Sequence, residues 1–223
     1  MDIHKPKPIH SWREFLKEYA IIVLGVITAL AAEQAVEWLH WRHEVELGRS
    51  AIAGEISTHN GWYRFRVAIA PCIDRRMDEA GAILQALENK ERPKGFSAFH
   101  SHGAGAPLST SEWESERASQ ALVHFPRQEL ALMSQYYAQI STFRDWMGEE
   151  AATWSELSGL KNLPVGLTAS DMLRLRGVLD RARSIEFLIL GNAQRNLRFA
   201  DQLGISGGAP EPGQVEAFCS KGD

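Results

Sequence analysis

The spacing of apolar residues divides the chain into one unbroken greasy run and a series of amphipathic stretches. The run is Tyr19 to Ala32, which contains no charged residue. Beyond it, Val45, Ile52, Ile56, Tyr63 and Val67 recur at steps that place them on one helical face. Gly48, Gly54 and Gly61 each weaken that helix by about 1 kcal/mol relative to Ala, so a bend is expected there. Pro71 is expected to break it. A second stripe, Ile73, Met77, Ala80, Leu84 and Leu87, ends before Pro93 and Gly95. Phe96 to Thr110 is rich in Gly, Ser and His and reads as a connection of unusual length, functional or loose.

Ser111 with Glu114 forms a capping-box pattern that opens a short helix through about His124. Pro126 suits the first turn of another. Along that helix Leu130, Met133, Tyr137, Ile140, Phe143, Met147, Ala151, Trp154 and Leu157 keep spacings of three or four. Gly159 to Gly166 is a turn, and Thr168 caps the last long helix with Asp171 in its first turn. The inner face of this helix runs from Met172 through Leu179, Ile185, Ile189 and Leu197 to Leu203. Gly204, Gly207, Gly208, Pro210 and Pro212 end it and open a tail expected to be flexible. No alternating β-branched run is bounded by turns. The expected fold class is therefore all-α, an N-terminal transmembrane helix continuing into an antiparallel helical bundle. Its divisions are a tip at 1–10, the span with its flanks at 11–41, the bundle at 42–204 and the tail at 205–223.

Tyr19 to Ala32 alone is shorter than the roughly 20 residues that cross a bilayer's hydrocarbon core. Its flanks lengthen it, with Phe15 and Leu16 before it and Ala35, Val36 and Leu39 after it. Trp12 stands at one end and Trp38 and Trp41 at the other, where interfacial tryptophans sit. At 1.5 Å per residue Trp12 to Trp41 covers roughly 43 Å, a bilayer with its headgroups. Lys5, Lys7, Arg13 and Lys17 precede the run while only Arg42 and Arg49 follow closely, which directs the amino terminus to the cytoplasm and the bundle to the periplasm. Two other readings stay open. Ala29-Leu30-Ala31 matches the cleavage site of a signal peptide, and short apolar runs also occur as buried helices of soluble proteins.

The segment from Glu18 to Trp38, with an acidic residue before a Gly-containing run and a Gln/Glu/Trp cluster after it, resembles the opening of small bacterial single-pass membrane proteins of unknown function. The resemblance covers about the first fifth of the chain. It implies a single-pass anchor and brings no catalytic residues with it.

With 223 residues the chain holds an anchor and one domain of ordinary size. A net charge of −4 gives no polyanion-binding signal. Arg174, Arg176, Arg181, Arg183, Arg195 and Arg198 stud the last helix, but Asp171, Asp180, Glu186 and Asp201 are interspersed. That is a pattern of surface ion pairs and not a nucleic-acid interface. The two cysteines, Cys72 and Cys219, are unrelated buried thiols in a cytosolic protein and a candidate disulfide in a periplasmic one.

Several clusters invite chemistry without completing it. Glu37 and His40 have Glu-x-x-His spacing, yet a di-metal bundle needs a second copy and two further glutamates. His40, His43 and Glu44, or His100 and His102, supply fewer ligands than a zinc site requires. No P-loop, dinucleotide fingerprint or nucleophile elbow is present, and no cofactor is implied. Tyr136, Tyr137, Phe143, Trp146 and Trp154 are candidates to line an interhelical pocket, or else ordinary core. Glu33, Glu37, His40 and Glu44 form a polar stripe at the exit of the anchor, with Gly25 nearby to permit close helix approach. This motivates an expectation that anchors pair, as a homo-oligomer or with another membrane protein. The other reading is that these side chains reach headgroup water. The expected role is a non-enzymatic scaffold, assembly or sensory accessory of the bacterial inner membrane. A periplasmic ligand-binding module with an aromatic pocket is the alternative, and a helical-bundle metalloprotein the third.

Overall fold

The computed structural model of the chain describes residues 11–92, 108–164 and 166–220. They form five helices: α1 Trp12–Glu88, α2 Ser111–Ala118, α3 Arg127–Ser158, α4 Ala169–Gln202 and α5 Gln214–Ser220. Short 3-10 turns, Ala121–His124 and Gly159–Asn162, lead into α3 and out of it. Among the described residues there is no strand, and the fold is an all-α helical bundle. The tip at 1–10 and the greater part of the 96–110 connection, His100 and His102 included, lie outside the described residues.

Two compact units are distinguished, Met1–Leu47 and Gly48–Asp223. In the first, α1 contains a stretch long and apolar enough to cross a membrane, and none of that stretch is buried. Ile21, Ile22, Leu24, Val26, Ile27 and Leu30 are all exposed there. Thr28 donates its hydroxyl to the Leu24 carbonyl at 2.7 Å.

In the second unit, α1 from Gly48 onward, α3 and α4 make a three-helix core. Contacts between α1 and α3 keep a nearly constant offset: Arg49 with Glu129, Glu55 with Tyr137, Arg66 with Glu150. These two helices therefore run parallel. Partners of α1 on α4 run the other way, from Asn196 opposite Tyr63 to Arg176 opposite Glu88. So do pairs between α3 and α4, from Asn192 against Gln139 to Arg174 against Glu156. α4 is antiparallel to both.

The parallel pair follows from a correction at Pro71. The helix does not break there, and α1 is continuous from Trp12 to Glu88 with the proline inside it. A proline within a helix loses one hydrogen bond, at a cost of about 3 kcal/mol. Pro71 itself faces solvent while Ile69, Ala70, Cys72 and Ile73 around it are buried. Apolar burial on that inner face holds the helix through the defect, at roughly 1.5–3 kcal/mol per large side chain. Because α1 does not turn back, the chain must return from Glu88 to the level of Glu55, roughly 50 Å along the helix, where α2 begins. That is the physical reason for the long connection after Glu88. Its far end is pinned by Leu108, which is buried, and by Trp113 of α2 stacked on Tyr137 at 4.8 Å.

The tail is a second correction. Ile205 and Gly208 offer their carbonyls to Asn60 at 3.3 Å and Arg64 at 2.8 Å. α5 then lies on α1: Phe218 packs edge-on against Phe65 at 5.9 Å, and its carbonyl accepts from Arg76 at 2.7 Å. Cys219 is bonded to Cys72 across 147 residues of sequence. Val215 and Phe218 join the core formed by Phe65, Ile69, Ile73, Trp154, Leu157 and Leu175.

Candidate functional site

From Ser50 to His59, α1 brings Ser50, Ala51, Gly54, Glu55, Thr58 and His59 onto one face by steps of three, four and one. Ser109, Ser111 and Glu112, at the start of α2, face them across an open cleft of about 410 Å³. Glu55 joins the two sides. One of its carboxylate oxygens accepts from the Ser111 hydroxyl at 3.3 Å and the Glu112 backbone N–H at 3.2 Å. The other accepts from the Tyr137 hydroxyl at 2.6 Å. Thr110, at the N-cap position of α2, makes no side-chain cap, so a carboxylate from a neighbouring helix does that work, where the helix dipole favours negative charge.

His59 stands beside Glu55 and is only 1% exposed. Its ring stacks on Tyr136 at 6.0 Å and meets Tyr137 edge-on at 6.4 Å. Neither ring nitrogen has a hydrogen-bond partner among the described residues. Burial pushes its pKa down to about 4; the Glu55 charge and the Ser109 backbone oppose this, the latter without reaching hydrogen-bond geometry. The imidazole is therefore neutral at pH 7, with one donor and one acceptor nitrogen. Burial likewise raises the pKa of Tyr137, and its bond to Glu55 adds to the effect, so the phenol remains a donor.

About two turns beyond His59, Arg66 is buried between Glu150 of α3 and Glu186 of α4 and bonds to both. One guanidinium thus faces two carboxylates. Burial pushes the Glu186 pKa up to about 7; Arg66 pulls it back, while Glu150 and Asp74 push it higher. Burial also raises that of Glu150. Asn196 donates to the Tyr63 hydroxyl at 2.7 Å in the same interior. All three long helices thus share a polar seam through an otherwise apolar core.

The residues singled out by sequence fall into three groups. Tyr136, Tyr137, Phe143 and Trp154 are buried and Trp146 is half-buried. Phe143 packs edge-on against Tyr63 at 5.1 Å, and Trp154 belongs to the main apolar cluster. None of the five is among the described residues that line the cleft between α1 and α2. Gly25, Glu33, Glu37 and His40 are exposed and Glu44 is half-buried; Gln34 reaches Glu37 at 3.5 Å. Cys72 and Cys219 are joined. Among the described residues no group of three His, Cys, Asp or Glu side chains is placed to hold a metal ion.

Glu55, His59, Arg66 and Glu150 escaped sequence reasoning, and Glu186, expected in a surface ion pair of the last helix, is instead buried against Arg66. A signal was present: Ile52, Glu55, His59, Tyr63, Arg66 and Ala70 continue a single stripe at steps of three and four, so polar residues occupy core positions. Comparison with known protein families, curated proteins and solved structures finds no match to the chain.

Proposed function

We propose that the chain is a single-pass protein of the bacterial inner membrane. On this reading it holds a disulfide-bonded helical bundle on the periplasmic side, as a non-enzymatic scaffold, assembly or sensory accessory. The observation that carries the reading is the apolar stretch of α1, none of which is buried. A core helix of a soluble protein covers its apolar side chains, and this one leaves Ile21, Ile22 and Leu24 bare. The bond between Cys72 and Cys219 supports the compartment, since structural disulfides persist outside the reducing cytosol. The non-enzymatic role is supported by the way the buried charged groups are used: Arg66, Glu150 and Glu186 bind one another, and Glu55 caps a helix.

The test is alkaline carbonate extraction of membranes, combined with alkylation of thiols before and after reduction. Protein that stays with the membranes and exposes its two thiols only after reduction is the expected outcome. Release by carbonate, or two thiols reactive from the start, contradicts the reading. In this reading the exposed Glu33, Glu37 and His40 and half-buried Glu44 engage a second anchor close to Gly25. Crosslinking in native membranes is then expected to recover a dimer or a partner, and recovery of monomer alone contradicts the pairing.

A further inference from the structure

We infer that the cleft between α1 and the start of α2 binds a small organic cation carrying an ammonium group. The site lies wholly within Gly48–Asp223, so the inference does not rest on the membrane reading. Its volume of about 410 Å³ falls in the range of small-molecule sites. Two of the lining residues, Glu55 and Glu112, are acids, and among the described residues no lysine or arginine lines it. An anion entering there would meet like charge on its walls, whereas an ammonium group meets carboxylates and hydroxyls that accept its hydrogen bonds.

Glu55 is held in place by three donors, from Tyr137, Ser111 and the Glu112 backbone. A carboxylate offers about four lone-pair sites, so it retains capacity for one more donor. His59 adds an acceptor nitrogen that nothing in the described structure uses. A buried polar atom left unpaired costs about 1–3 kcal/mol, and a ligand that donates to it recovers part of that. Between these groups the cleft has a glycine floor: a side-chain carbon added at Gly54 would meet nothing within 4 Å. The space above this turn of α1 is therefore open to a ligand.

The test is isothermal titration of the full chain in detergent micelles with 1,4-diaminobutane and ethanolamine, with glycerol and succinate as comparisons. Saturable binding of an amine with a Kd of about 1 mM or tighter is expected, with none for succinate. Gly54→Leu fills the floor and replaces a helix-weakening residue with a good helix former, so the protein stays folded while binding falls at least about tenfold. Glu112→Gln, at an exposed position, is expected to weaken binding by a similar factor. No saturable amine binding overturns the inference. Preference for glycerol or succinate overturns the ligand class, and undiminished binding in folded Gly54→Leu overturns the site.

Discussion

Glu186 and His59 give the bundle two opposing pH dependences. The folded protein holds a proton on Glu186 up to about pH 7, where an ordinary glutamate releases it near 4.5. Between those values the folded state binds more protons than the unfolded one, so this group's contribution to stability falls as pH rises. For His59 the order is reversed: its pKa is lowered to about 4 from 6.5, the unfolded chain binds the extra proton, and stability rises with pH across that window. Glu186→Gln removes a falling contribution and leaves the rising one. Thermal melts of the full chain in detergent from pH 4.5 to 6.5 are therefore expected to show the variant gaining on the wild type, by on the order of 2 kcal/mol. Parallel curves would show that Glu186 does not carry the proton. At Gly208 the constraint is steric. Its φ is 67°, and a side chain there would collide with the Ser57 carbonyl, while its own carbonyl accepts from Arg64 at 2.8 Å. Gly208→Ala is expected to cost about 1–3 kcal/mol and to expose the 205–213 segment to limited proteolysis. Unchanged cleavage and unchanged melting would contradict this.

Pro71 and the tail test the account at the level of elements. If burial of the inner face carries α1 through the proline, Pro71→Ala at this solvent-facing position restores a hydrogen bond. It is then expected to raise stability, by up to about 3 kcal/mol; a loss would mean that the proline shapes the packing around it. Cys219→Ser opens a bond spanning 147 residues, worth up to about 5 kcal/mol in the chain-entropy picture, with smaller measured values common. A lowered melting temperature is expected, together with faster proteolysis of 205–220 under native conditions. A variant that melts like the wild type would show that Phe218 and Arg76 alone hold α5. α3 and α4 were legible because their apolar spacing is local, and Thr168 caps α4 in a box with Asp171. The box expected from Ser111 and Glu114 does not form: Ser111 lies inside α2, Thr110 stands at its N-cap without a side-chain bond, and the Glu55 carboxylate takes the Glu112 N–H instead. At Pro71 the local rule lost to tertiary burial, since a single missing donor is outweighed by the buried residues on either side. The tail misled for a related reason. Its glycines and prolines suit a loose end, but the groups that pin it, Asn60, Arg64, Arg76 and Cys72 on α1, lie more than 140 residues away in sequence. The cleft stayed hidden because its two walls, from 50–59 and 109–112, meet only when the return connection brings α2 beside Glu55.

At the scale of the whole molecule two features stand out: a bare apolar stretch of α1, and a bundle with a buried polar seam in its core and a disulfide that ties its last helix to α1. The outward placement of the bundle is the proposed orientation, motivated by charge asymmetry around the apolar run: Arg13 and Lys17 precede it with Lys5 and Lys7, against Arg42 and Arg49 after it. The most direct measurement is protease digestion of intact spheroplasts, with the full chain followed by an epitope tag at each end. The account predicts loss of the carboxyl-terminal tag while the amino-terminal tag survives on a short, membrane-bound fragment. Protection of both tags, or recovery of either from the soluble fraction, would contradict it.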